Sequence, residues 1–241
     1  MGLAHSPSII TDGLELCFDA ANTKSYPGSG TTWTDMGNKG IDGTLTNGPT
    51  FDSGNMGTIS FDGSNDMVDL NSTLSSVASH NLPASWEAWV YFNTSNNNQT
   101  IIGNSYVGGG VLLRTTGTSH APANRIRWVY FESGGHGTGV DSAVLTPGWY
   151  QFVGTYNGSG LSHSNFGLYI NGVAAAVTDP TFGSPSTIPQ TRDFGIGGLP
   201  AESNYSVYWG GKIAIVRVYS KLLSATEVLQ NYNANKGRFG L

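Results

Sequence analysis

Apolar residues recur at every second position in short runs along most of this chain, and each run ends in a cluster of Gly, Asn, Ser or Pro. A two-residue period puts alternate side chains on opposite faces of an extended backbone, so the pattern predicts a succession of half-buried β-strands. The first runs from Leu14 to Asp19, with Leu14, Leu16 and Phe18 on one face. A long loop carries the chain from Ser25 through Gly30 to Pro49. Thr58 to Asp62 and Met67 to Leu70 then bracket Gly63, Ser64 and Asn65, which tolerate positive φ and predict a hairpin of paired strands. Ser85 to Phe92 sets Trp86, Ala88, Val90 and Phe92 on a predicted core face, with Glu87, Trp89 and Tyr91 opposite.

Further strands are predicted at Arg125 to Phe131 and Trp149 to Tyr156, the second turning at Asn157 to Gly160 into Phe166 to Gly172 as a central hairpin. The last, Lys212 to Tyr219, is apolar at Ile213, Ala214, Ile215, Val216 and Val218, a continuity that predicts burial on both faces. One helix is predicted, at Ser224 to Tyr232, where Ser224 and Glu227 stand at capping-box spacing. No solenoid or propeller repeat and no linker interrupts the chain, so residues 1–241 are read as a single domain.

Composition narrows the function. Charged residues are only 11% of the chain and glycine contributes 34 positions, which favours turns and two-faced sheets. Six Trp, eleven Tyr and ten Phe supply a large aromatic core. A net charge of -5 and only 11 Lys and Arg, none clustered in sequence, exclude a nucleic-acid partner. Met1 to Pro7 has no cationic region followed by an apolar run, and no segment approaches membrane-spanning length, so cytoplasmic synthesis and no membrane partner are expected. Met1-Gly2 with Ser6 fits a myristoylation start, but nothing basic follows to assist anchoring. Cys17, the one cysteine, lies in an apolar strand and is read as a structural thiol.

The residues that carry chemistry are sparse. His5, His80, His120, His136 and His163 lack zinc-ligand spacing. Gly195 to Gly198 has no βαβ context and reads as a sharp turn rather than a phosphate loop. Five Asn-x-Ser/Thr triplets are what an Asn-rich chain produces by chance. Trp89, Tyr91, Tyr205, Tyr208 and Trp209 are candidate aromatics for a sugar face or a protein interface, with core packing the competing reading.

Taken in order, several blocks resemble the concanavalin A-like lectin/glucanase (laminin G-like) superfamily. They are Trp33-Thr34-Asp35 with Gly43 to Pro49, Phe61 to Asp66, Trp86 to Val90, Trp149 to Tyr156 with Leu168 to Val173, and Gly211 to Tyr219 with Leu223, Ser224 and Glu227. The resemblance implies an all-β jelly-roll sandwich of two antiparallel sheets with one short C-terminal helix. It departs from the family at Ile215, often acidic there, which marks that position as a surface for a neighbour to cover. Relatives carry a structural calcium, and Asp62, Asn65 and Asp66 form the best local cluster for one; no cofactor is otherwise required, and the alternative is that these side chains cap a turn. The glucanases of the superfamily use a Glu-x-Asp-x-x-Glu strand of paired carboxylates, which is missing here, so no enzymatic activity is expected and Glu87 reads as a structural carboxylate.

Asp19 to Asn22, Tyr26 to Trp33 and Thr44 to Pro49 also resemble a subgroup common among virion proteins of tailed bacteriophages. That implies a virion structural protein made in the host cytoplasm, most simply a capsid decoration or other surface-exposed subunit, with the major capsid protein, other virion proteins or further copies of itself as partners. The alternative is a carbohydrate-binding, lectin-like module for adhesion to glycans.

Overall fold

A computed structural model describes residues 7–94, 97–105, 109–120, 122–132, 136–181, 183, 185, 192–200 and 207–241. In chain order its strands are β1 (Leu14–Asp19), β2 (Thr32–Trp33), β3 (Gly43–Thr46), β4 (Thr50–Asp52), β5 (Thr58–Asp62), β6 (Met67–Asp69), β7 (Ala84–Phe92) and β8 (Thr100–Gly103). There follow β9 (Gly110–Thr115), β10 (Ile126–Phe131), β11 (Gly137–Asp141), β12 (Gly148–Tyr156), β13 (Phe166–Ile170), β14 (Val173–Ala174), β15 (Gly195–Ile196) and β16 (Gly210–Tyr219). Helix α1 (Ala225–Asn235) and a 3-10 turn, Lys236–Phe239, close the chain.

The strands form two antiparallel sheets. The front sheet runs β14-β13-β12-β7-β16-β5-β4, and β1 pairs with the C-terminal half of β16 beyond the reach of β5. The back sheet runs β11-β10-β9-β8-β15-β6-β3-β2. Between them lies an aromatic core in which Trp86 meets Trp128 and Phe194 at 5.2 Å each, and Tyr130 meets Tyr156 at 4.8 Å. The Trp128 indole N–H donates to the Thr155 carbonyl at 3.1 Å, tying the sheets together at a point where an unpaired donor would be costly. The all-β jelly-roll sandwich with one short C-terminal helix is therefore what the alternation predicted, and the capping box is present: Ser224 Oγ accepts from Glu227 N while Glu227 Oε2 accepts from Ser224 N.

Four local expectations are corrected. β5 and β6 are not a hairpin; β5 belongs to the front sheet and β6 to the back one, so the Gly63–Asn65 turn crosses the sandwich and delivers Ile59 and Val68 to the same core from opposite sides. A register shift between Leu14 and Leu16 moves Leu14 away from Leu16 and Phe18 into the cluster under α1, together with Cys17. The β12–β13 hairpin forms but lies toward one edge of its sheet, not its centre. Gly195 and Ile196 make a short strand joining β6 to β8, with the turn confined to Gly197 at φ 75° and Gly198. Arginines scattered in sequence are gathered by register: Arg114 and Arg127 are cross-strand partners on the outer face of the back sheet, buried, with Asp141 accepting from Arg127 Nε and Nη2 at 2.7 Å.

Candidate functional site

The outer face of the front sheet is built in rows that follow the strand register. One row joins Val153, Glu87, Arg217 and Cys17; the next joins Gln151, Trp89, Ile215 and Asp19; a third joins Trp149, Tyr91, Lys212, Ser60 and Thr50. The C-terminal segment covers the first two rows and reaches the third only at Trp149. Its anchor is Glu87, fully buried: Oε1 accepts from Arg217 Nη1 at 3.0 Å, Gln151 Nε2 at 2.9 Å and Trp89 Nε1 at 3.0 Å, and Oε2 accepts from Asn231 Nδ2 of α1 at 2.8 Å. Burial opposes the Arg217 charge, and the Glu87 carboxylate together with Cys17, Tyr219 and Asp19 outweighs it, so the Arg217 pKa is raised. Cys17 beside them has its thiol pKa raised by burial, as a structural cysteine should.

Beyond this anchor, Phe239 stacks on Trp89 with centroids 4.5 Å apart and meets Trp149 at 4.6 Å. Arg238 locks the same turn, donating to Asp19 Oδ1 at 2.7 Å and to the carbonyls of Asn55 and Gly57. Trp89 and Ile215 are consequently fully buried, covered by the chain's own tail rather than offered to a ligand or partner. Trp209 lies in the main core and Tyr208 is buried, so neither presents a ring at the surface; Tyr205 lies outside the described residues.

Tyr91 is different. It is half-buried, edge-on to Trp149 at 5.7 Å, and forms one wall of a trough of about 440 Å³ whose remaining lining includes Ser60, Asp62, Asn93, Gly210 and Lys212. Lys212 Nζ donates to Asp52 Oδ2 at 2.6 Å, and this bond holds the Asp52 carboxyl below its usual pKa. Asn93 Nδ2 donates to the Gly210 carbonyl at 3.3 Å. Ser60 and Asp62 also line a second cavity of about 280 Å³, walled further by Asn47, Gly48, Thr50 and Asp66.

Of the Asp62, Asn65 and Asp66 cluster, Asp62 and Asp66 line this second cavity. Asp62 Oδ1 accepts from the backbone N–H of Ser64 at 2.8 Å and of Asn65 at 3.4 Å, and the Ser64 bond leads in lowering its pKa. Asp66 Oδ2 accepts from Asp62 N at 2.9 Å, while burial raises the Asp66 pKa. The Asn65 carbonyl accepts from Asn47 Nδ2 at 2.9 Å. These bonds make a capped turn. Among the described residues, no group of three His, Cys, Asp or Glu side chains converges as a metal site.

Sequence reading thus located Tyr91, Asp62 and Asp66, and missed Ser60, Lys212, Asn93 and Thr50. The usable signal was the polar alternation Thr58, Ser60, Asp62 on β5, opposite Ile59 and Phe61. Chemically the trough offers one aromatic face, hydroxyls, an amide, an ammonium and a carboxylate in a shallow open groove, groups suited to a polyhydroxylated ligand.

A family model described as the concanavalin A-like lectin/glucanases superfamily matches residues 62–229. No curated protein sequence matches the chain. Among solved structures, Trypanosoma rangeli sialidase in complex with sialic acid superposes with a TM-score of 0.61 at 12% identity, covering 98% of this chain and 36% of that one. The same sialidase in complex with the inhibitor DANA gives 0.58 at 13%, covering 95% and 35%. The botulinum neurotoxin serotype D binding domain gives 0.60 at 16%, covering 92% and 51%. The chain thus spans about a third of the sialidase chains and half of the neurotoxin domain, and the likeness is one of fold.

Proposed function

Because this chain belongs to the concanavalin A-like lectin/glucanases superfamily, we propose that it is a non-enzymatic carbohydrate-binding domain whose site is the trough at Tyr91. The observation that carries this reading is that Tyr91 is left half-buried beside Asn93, Ser60 and Lys212, one row from Trp89, which the tail covers completely. A rigid amphipathic ring next to fixed polar groups binds a sugar face at small entropic cost. A non-catalytic role is supported by the carboxylates: Glu87 is enclosed by Arg217 and Asn231, and Asp62 and Asp66 are engaged in their own turn. The reading requires no cofactor. Glycan-array retention tests it, with Tyr91→Ala compared against wild type at equal melting temperature. Retention lost in the variant supports the trough; retention unchanged, or none by wild type, overturns it.

A second reading concerns where the domain works. We propose that it is a surface-exposed subunit of a bacteriophage virion, capsid decoration being the simplest case, with other virion proteins such as the major capsid protein or further copies as partners. Its support is the resemblance of Asp19–Asn22, Tyr26–Trp33 and Thr44–Pro49 to virion proteins. In the fold these blocks are joined at one corner, with Tyr26 N donating to the Asn22 carbonyl and Leu45 N to the Thr31 carbonyl. Quantitative mass spectrometry of purified particles tests it: hundreds of copies support decoration, a handful supports a tail position, and none removes the virion reading.

A further inference from the structure

Of the six tryptophans, Trp33, Trp86, Trp89, Trp128 and Trp209 are fully buried, and Trp149 alone is half-buried. It stands beside Tyr91 across β12 and β7, with ring centroids 5.7 Å apart and ring planes at 74°. Phe239 backs it from the tail at 4.6 Å. Register sets this pair at one end of a row that crosses five strands: Trp149, Tyr91, Lys212, Ser60 and Thr50, each half-buried or exposed. Neighbouring strands lie about 4.8 Å apart, so the row is about 19 Å long. The trough draws Tyr91, Lys212 and Ser60 from this row and Asn93, Gly210 and Asp62 from the adjoining positions, so it runs across the strands rather than along them.

Ring geometry decides how many sugar units fit. Two rings inclined at 74° cannot both lie against one flat sugar face, so Tyr91 and Trp149 meet different units. A pyranose ring is about as wide as one strand spacing, which sets consecutive units of a chain in step with consecutive strands. The row is aromatic at the Trp149 end and hydroxyl-bearing at Ser60 and Thr50, the two kinds of surface that a sugar presents in turn. Its cation, Lys212, is paired with Asp52, and a chain of net charge -5 disfavours an acidic ligand. Resting on the reading of the trough as a sugar site, we propose that Trp149 is a second aromatic subsite, so that the ligand is a neutral oligosaccharide lying across the strands with neighbouring units on Trp149 and Tyr91.

An array of neutral saccharides, each displayed from monomer to pentamer beside an oligogalacturonate series, tests this on the whole protein, followed by calorimetry of the best-retained series. Affinity should rise roughly 3–10-fold from monomer to dimer. Trp149→Leu, which keeps an apolar contact for Phe239, should remove that gain and leave monomer binding unchanged. Iodide quenching of wild type needs no variant: with the other five indoles buried, the accessible emission belongs to Trp149, and the pentamer should protect it. Equal affinity for monomer and dimer, a gain that survives Trp149→Leu, or iodide access unchanged by bound pentamer overturns the second subsite, while Tyr91-dependent retention keeps the trough. Oligogalacturonate held more tightly than every neutral series overturns the neutral ligand. No retention at all, or retention indifferent to Tyr91→Ala, overturns both the subsite and the trough.

Discussion

Arg217 donates from Nη1 to Oε1 of Glu87 across 3.0 Å, and the two side chains are 3% and 0% exposed beneath the C-terminal helix. Removing one partner of such a pair strands the other charge in a low-dielectric interior. Glu87→Gln is expected to cost about 3–5 kcal/mol in urea unfolding. Saccharide retention per folded molecule should be unchanged, because the trough lies a row away from the covered face.

Phe239 is the hinge pin of the tail. Its ring sits on both Trp89 and Trp149, so Phe239→Ala removes a buried aromatic and wets two indoles. A loss of about 3 kcal/mol is expected, and tryptophan emission should shift to longer wavelength in the native baseline.

His120 sets an acid limb. Burial, then the positive charges of Arg114 and Arg127, pull its pKa from 6.5 to about 4. The folded state thus favours the neutral ring, and the unfolded chain binds the extra proton first. Stability is complete above pH 6.5 and declines as pH falls toward 4, by on the order of 1–2 kcal/mol after solvent screening. Denaturation midpoints measured from pH 7.5 to 4.5 should show that decline in wild type and a flatter course in His120→Gln.

Gly154 lies directly beneath the core indole. A β-carbon there would stand 2.6 Å from the ring of Trp128, which is itself fixed by its bond to the Thr155 carbonyl. Gly154→Ala is expected to destabilise by about 1–3 kcal/mol through overpacking, measured as a lowered melting temperature with the binding trough intact.

Much of this was legible in the chain. The alternation of Trp86, Ala88, Val90 and Phe92 identified the core face of β7, and the apolar run of β16 announced cover on both sides. What alternation cannot report is the identity of that cover. Trp89 and Ile215 occupy the outward face that periodicity assigns to them, and only Phe239 and Tyr232, from the other end of the chain, make it interior. The Gly63–Asn65 turn misled for a different reason. A tight polar turn looks alike whether the next strand stays in its sheet or crosses to the other, and the choice is made by neighbours, β16 for β5 and β15 with β3 for β6. The trough escaped notice because its wall is gathered from three strands, Ser60 on β5, Lys212 on β16 and Tyr91 on β7, which register alone aligns.

The position of β16 governs the order in which the molecule can be assembled. It pairs with β1, β5 and β7, yet it is the last strand to leave the ribosome. Until it emerges, β1 has no strand partner among the described residues and β5 and β7 each carry a bare edge, the state in which apolar strands pair with other chains. Contacts that span Leu14 to Tyr219 also make closure a slow, late event. The sandwich is therefore completed only after its final strand has been synthesised, and freedom from aggregation during synthesis depends on how quickly β16 arrives.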